Sequence, residues 1–98
     1  MITFRLSPAA KRDLAEIWLY TADIHGADQA ENYVAAISGD IERLLEFPHR
    51  YETTRTRNGE FRKMPSGHHL IFYQIKEEVI AIIRILHERM DWDEELGA

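Results

Sequence analysis

Residues 79–86, Val-Ile-Ala-Ile-Ile-Arg-Ile-Leu, are apolar at every position except Arg84. The segment is far too short to cross a bilayer. Rich in β-branched residues, it reads as a strand with no polar face, and such a strand needs cover on both sides. It is therefore expected at the centre of a sheet, with a helix layer against one face and some other cover on the other. Arg84 interrupts it. An unpaired buried arginine is costly, so this side chain must meet an acid or open onto solvent.

The rest of the chain supplies those layers. Residues 2–6 alternate Ile2, Phe4 and Leu6 with Thr3 and Arg5, a short strand. Ser7-Pro8 then opens a helix: serine caps free N–H groups, and proline at the first helical position loses no bond. That helix is expected over residues 8–25, with Ala10, Leu14, Ile17, Thr21 and Ile24 as its buried stripe, Trp18 widening it, and Gly26 ending it. Asp28-Gln29-Ala30-Glu31 resembles a capping box for a second helix, whose buried face is Ala30, Tyr33, Val34, Ile37, Ile41, Leu44 and Leu45. Phe47-Pro48 closes it, because the residue before proline is pushed out of helical geometry. Asn58-Gly59 signals a tight turn. A strand over residues 60–64, a Pro65-Ser66-Gly67 turn, a strand over 68–75, a polar Lys76-Glu77-Glu78 turn and the apolar strand follow. Residues 87–98 form an acidic tail in which Asp91 can cap one or two helical turns ending near Leu96. The expected fold is α+β, in the order β-α-α-β-β-β, with a helix hairpin packed on a small antiparallel sheet. At 98 residues, it is expected to be one domain spanning residues 1–98.

Composition narrows the function. With no cysteine, disulfides, thiolate catalysis and cysteine-based zinc sites are excluded. The opening Met1-Ile2-Thr3-Phe4-Arg5 has neither the basic nor the apolar region of a signal peptide, so a cytoplasmic location is expected, with no membrane partner. Net charge is −5, which argues against binding nucleic acid mainly through phosphates. The charge is uneven: Arg50, Arg55, Arg57, Arg62 and Lys63 cluster before the sheet's centre, while Asp91, Asp93, Glu94 and Glu95 crowd the tail.

Three groups of residues invite a chemical reading. The five histidines lack helical metal-ligand spacing, and His68 and His69, adjacent on a strand, point to opposite faces, so no metal site or cofactor is expected. Arg84, His87, Glu88 and Arg89 have the residue types of an RNA-cleaving site: histidine and glutamate to move protons, arginines to stabilise a pentavalent phosphate. The plainer reading is polar punctuation at the end of a buried strand. Trp92, set in an acidic tail, is either a lid over an exposed sheet face or a contact anchor.

The stretches Leu6-Ser7-Pro8-Ala9-Ala10-Lys11-Arg12-Asp13-Leu14, Ile17-Trp18-Leu19-Tyr20-Thr21, Phe47-Pro48, Pro65-Ser66-Gly67-His68-His69-Leu70-Ile71-Phe72-Tyr73 and Ile83-Arg84-Ile85-Leu86-His87-Glu88-Arg89-Met90-Asp91, in this order and spacing, resemble the ParE toxins of the ParE/RelE superfamily over nearly the full length. The resemblance implies the same β-α-α-β-β-β fold. It implies the toxin of a type II toxin–antitoxin system that inhibits DNA gyrase by protein–protein binding and is neutralised by a ParD-like antitoxin. The superfamily's other branch, the RelE-type ribosome-dependent mRNA endoribonucleases, is the alternative. Against it, Met64 stands where the alignment places a working arginine, and the tail has Trp92, Asp93, Glu94 and Glu95 but no tyrosine.

No catalytic residue is therefore expected, nor sequence-specific nucleic-acid binding by this chain alone. The gyrase-binding surface is expected at the exit of the last strand and in the tail: Arg84, His87, Glu88, Arg89, Met90 and Trp92. The antitoxin is expected to lie in an apolar groove lined by Leu14, Ile17, Trp18, Phe72 and Tyr73, with its acidic residues meeting Arg55, Arg57, Arg62 and Lys63.

Overall fold

A computed structural model describes residues 1–97 of the chain; Ala98, the end of the expected tail, lies outside the described residues. Strand β1 (Thr3–Leu6) leads into helices α1 (Pro8–His25) and α2 (Ala27–Arg43). Strands β2 (Thr53–Thr56), β3 (Gly59–Ser66), β4 (His69–Lys76) and β5 (Val79–His87) follow, and then a short helix α3 (Trp92–Glu95). The strands form one sheet in the order β1-β5-β4-β3-β2. β2 to β5 are antiparallel neighbours, whereas β1 pairs with β5 in parallel, Phe4 opposite Ile80 and Leu6 opposite Ile82. The sheet is thus mixed, with the chain's first strand completing the edge beside its last.

The apolar strand is interior and covered on both faces, as its composition requires. Ile80, Ile82 and Ile85 of β5 join Ile71 and Tyr73 of β4 and Met64 of β3 beneath Ala10, Ile17, Ile37, Ile41 and Leu44 of the helical layer. On the opposite face Phe61, Phe72 and Leu86 form a second, smaller cluster covered by Trp92 and Leu96. A bulge between Phe72 and Tyr73 shifts the β4–β5 register at the level of Ile82 and Arg84, and a bulge of this kind re-aims neighbouring side chains.

Local signals account for most boundaries. Ser7 Oγ accepts the Ala10 N–H at 3.0 Å and donates to the Ile83 carbonyl at 2.6 Å, so the α1 cap also stitches that helix to β5. The capping box expected at Asp28 does not form. Gly26, at φ 93°, ends α1 and begins α2 with no side-chain cap, and Glu31 instead accepts from the Trp18 indole at 3.1 Å. α2 stops at Arg43, earlier than Phe47-Pro48 suggests. Residues 44–46 continue as a tighter turn, with N–H groups of Leu44, Leu45 and Glu46 bonding three residues back. The Asn58-Gly59 turn closes a hairpin whose first strand, β2, lacked an apolar signal: Thr53-Thr54-Arg55-Thr56 lies at the sheet edge with no buried residue. Pro65 falls inside β3 rather than in a turn. It is tolerated because β2 pairs only as far as Arg62, leaving that side of β3 unpaired.

Gly67, at φ 59°, makes the β3–β4 turn with Tyr33 of α2 seated against it; a Cβ there would lie 2.7 Å from the Tyr33 hydroxyl oxygen. Replacing Gly67 by alanine is expected to cost about 1–3 kcal/mol in urea denaturation, through both the left-handed backbone and the clash. Gly39→Ala, inside α2 with only the end of Arg43 nearby at 3.9 Å, should instead raise stability by about 0.5–1 kcal/mol.

Candidate functional site

Arg84 is paired with two acids, closely with Asp13 on α1 and more loosely with Glu95 in the tail, at 3.9 Å. Its Nε and Nη2 donate to the two carboxylate oxygens of Asp13 on α1 at 2.8 and 2.9 Å, and Nη1 donates to the Glu95 carbonyl in α3 at 3.0 Å. Asp13 Oδ2 also accepts the Ile85 backbone N–H at 2.9 Å. Side-chain exposures of 17% for Arg84 and 9% for Asp13 make this a largely desolvated pair. The bond to Asp13, opposed by burial and aided by the charges of Asp13 and Glu95, raises the guanidinium above its ordinary value. Charged at any physiological pH, Arg84 ties α1, β5 and α3 together at one point.

Above this pair a cavity of about 730 Å³ opens between the helix hairpin and the ends of β4 and β5. Ile17, Tyr20, Tyr33, His69, His87 and Met90 contribute to its wall. Tyr20 of α1 and Met90 beyond β5, exposed by 70% and 47%, line it beside the polar Glu16, Thr21, His25 and Gln29. Leu19 and Ile24, exposed by 63% and 55%, lie outside its lining; Ile24, expected in the core stripe, faces solvent instead.

The expected target-binding residues fall on one end of the molecule in two states. His87, Glu88, Arg89 and Met90 follow β5 as a partly exposed turn, in which the Arg89 N–H donates to His87 Nδ1 at 3.1 Å and Glu88 reaches His68 Nδ1 at 3.2 Å. Arg89 forms no ion pair among the described residues. Arg84 and Trp92 are engaged within the chain. Trp92 packs on Phe72 with ring centroids 5.6 Å apart, and the Lys63 amine lies 4.9 Å from its ring. The lid reading of Trp92 therefore describes its position.

The expected antitoxin-binding residues divide differently. Trp18 is half-buried on the hairpin. Leu14 packs toward the core, and Ile17 is buried but reaches the cavity wall. Phe72 and Tyr73 do not line the cavity at the helix hairpin. Both have zero exposure, Phe72 beneath the tail and Tyr73 within the main core with its hydroxyl donating to the Pro48 carbonyl at 2.9 Å. Strand alternation puts neighbouring residues on opposite faces, and both faces here are covered. The basic residues are largely engaged: Arg55 with Glu60, Arg57 with Asp93, Arg62 with the carbonyls of Tyr51 and His49, Lys63 over Trp92. Of the cavity's lining, Tyr20 had no role in the sequence reading, Tyr33 was expected only in the core, and His69 was weighed only as a metal ligand. Tyr20, an aromatic on α1 outside the expected core stripe, was the available signal.

No group of His, Asp and Glu among the described residues is arranged to hold a metal ion. None of the described helices is long and apolar enough to cross a membrane. The fold is thus a small α+β module with an open cavity between hairpin and sheet and with Arg84 neutralised inside it.

The family comparison gives this build a place. A model of the ParE toxin of the type II toxin–antitoxin system, parDE, matches residues 4–92. Toxin ParE1 of Mycobacterium tuberculosis (strain CDC 1551 / Oshkosh) is 38% identical over 94 residues, covering 95% of this chain and 96% of the relative. Toxin ParE1 of Caulobacter vibrioides is 35% identical over 97 residues, covering 99% and 100%. A solved chain of the chromosomal ParDE system from P. aeruginosa superposes with a TM-score of 0.78 over 89% of this chain and 96% of its own, at 18% identity, a likeness of fold. The chain belongs to the ParE toxin family of type II toxin–antitoxin systems.

The Asp13–Arg84 pair generates a contrast between two arginines five residues apart. Arg84→Ala strands a buried carboxylate and releases α3; it is expected to cost about 3 kcal/mol in urea denaturation and to speed amide exchange across residues 92–95. Arg89→Ala, at an exposed and unpaired position, should change stability by less than about 0.5 kcal/mol.

Proposed function

We propose that this chain is a cytoplasmic toxin that inhibits DNA gyrase by binding it, without catalysing a reaction, and that a ParD-like antitoxin encoded beside it holds it silent. Membership of the ParE family supports the toxin role. The observation that carries the non-catalytic reading is the engagement of Arg84. A phosphate-cleaving site at the end of β5 needs a guanidinium free to meet the phosphate, and this one is closed by Asp13 and by the Glu95 carbonyl. Met64, where the ribonuclease pattern has an arginine, is buried in the main core. The tail beside the strand exit is acidic, and at close range its carboxylates repel an RNA backbone.

The antitoxin's place in this reading is the hairpin groove. Tyr20 and Met90 in its lining, with exposed Ile24 one turn beyond Tyr20 on α1, suit the apolar side of an amphipathic helix. The toxic surface is the strand exit, where exposed Arg89 and Met90 offer one cation and one adaptable apolar side chain to a protein partner.

Purified protein is expected to inhibit gyrase supercoiling and to accumulate cleaved DNA, with Arg89→Ala weakening both while leaving antitoxin binding intact. The adjacent gene product, co-expressed, should co-purify with the chain. Ribosome-dependent mRNA cleavage by the pure protein, abolished by His87→Ala, would sink this reading in favour of the ribonuclease one.

A further inference from the structure

His68, His69 and His87 gather at the mouth of the cavity, contributed by the β3–β4 turn, the first residue of β4 and the last of β5. His69 and His87 are paired across the ladder, with ring centroids 5.2 Å apart edge to face; His68 and His87 stack at 6.5 Å. The way their ring nitrogens are used is the informative feature. The Tyr33 hydroxyl oxygen accepts the His68 backbone N–H at 2.9 Å. Tyr33 Oη also shares a hydrogen bond with His69 Nδ1 at 2.7 Å, in which the phenol donates when the ring carries its proton on Nε2. His87 Nδ1 accepts the Arg89 backbone N–H at 3.1 Å. His87 therefore holds its neighbouring segment through an unprotonated Nδ1, and the same tautomer of His69 lets it hold Tyr33 likewise.

We infer that this histidine cluster is an acid-sensitive latch, which in its neutral form fastens α2 to the β3–β4 turn and the strand-exit turn to β5, and which opens both when it takes up protons. The next proton on either ring must go to Nδ1. On His87 it expels the Arg89 N–H, a backbone donor that cannot turn away. On His69 it confronts the Tyr33 hydroxyl proton, and the phenol must rotate off the ring or surrender the His68 amide. With the second and third charges, imidazolium repels imidazolium across about half a nanometre of partly desolvated space.

The groups facing His69 set the sign. From the β3–β4 turn comes His68, from the end of β5 His87, and from α2 the Tyr33 phenol; Glu88 beyond β5 and Asp13 on α1 oppose the two histidines. Glu16 and His25 of α1, Arg84 and Glu95 line the same cavity farther from the ring. Burial first, and then His87 and His68, pull His69 down to about 4 from an ordinary 6.5. A group whose folded value lies below its unfolded value adds stability that is full above the unfolded value and is lost as pH falls toward the folded one. The His69 arm of the latch is accordingly closed above about pH 6.5 and opens as the pH falls toward 4. Gly67 leaves Tyr33 room to sit against the turn, so the segment released is the one that bounds the cavity mouth.

The test uses the isolated full chain and needs no partner, so it stands or falls apart from the gyrase reading. Imidazole shifts and amide exchange are followed by NMR from pH 7.5 to 3.5, with exchange corrected for its intrinsic pH dependence. His69 should titrate with a midpoint of about 4. Protection of the His68 amide should fall at least about tenfold between pH 6.5 and 4, and that of the Arg89 amide should also fall in acid, while mid-helix amides of α1 hold theirs. His87→Gln should raise the His69 midpoint and move release of the His68 amide to higher pH. His69→Gln keeps an acceptor for Tyr33 but cannot titrate, and should hold the His68 amide to lower pH than the wild type. Unchanged protection at both amides, a loss shared equally by the whole chain, or a His69 midpoint unmoved by His87→Gln would each overturn the latch.

Discussion

A carboxylate on the second turn of α1 and a guanidinium in the most apolar strand meet in a largely water-excluded space, and much of the molecule is arranged around them. Asp13 takes three N–H donors, two from Arg84 and one from the Ile85 backbone. Arg84 passes a further bond to the carbonyl of Glu95. Helix α1, strand β5 and tail helix α3 are thereby fixed to one another by polar geometry, where apolar packing alone would allow them to slide. A buried ion pair of this kind adds little net stability over an apolar substitute, yet is costly to break from one side. Its contribution is positional.

That position governs both surfaces of functional interest. The cavity between hairpin and sheet has Asp13 and Arg84 in its lining, so the spacing of its walls follows from their separation. The strand exit at His87 to Met90 lies immediately beyond Arg84, and its orientation follows from the same anchor. Clamping the tail brings Trp92 and Leu96 over Phe61, Phe72 and Leu86, which closes the face of β5 that the helix hairpin does not reach. One pair thus satisfies the demand of a strand apolar on both sides and sets out the groove and the exit turn.

The fold was legible where periodicity and turn chemistry spoke together. Helix α1 ran between Ser7-Pro8 and Gly26 as read, and the two-sided apolar segment was interior. β2 was invisible because an exposed edge strand of threonines and one arginine buries nothing and so writes no pattern. The parallel pairing of β1 with β5 joins residues far apart in the chain, and neither strand's own pattern encodes its partner. At the site, the sequence required an acid or solvent for Arg84 but could not choose Asp13, which lies 71 positions away on a helix face that seemed only polar. Phe72 and Tyr73 looked available because a strand of mixed aromatics does not announce which of its faces is covered. The histidine cluster escaped for the same reason: adjacency on a strand argued against shared metal binding, whereas turn and ladder geometry brought His68 and His69 to one cavity with His87.

The account rests on Asp13 and Arg84 acting as a single unit, and a double-mutant cycle measures that directly. Asp13→Asn, Arg84→Gln and the double variant would be compared by urea denaturation, with amide exchange over residues 92–95 as a local readout. A coupling energy of about 2–3 kcal/mol, with α3 released alike in all three variants, is the result this account predicts. Additivity within about 0.5 kcal/mol, or an α3 that stays protected when Arg84 is replaced, would contradict it.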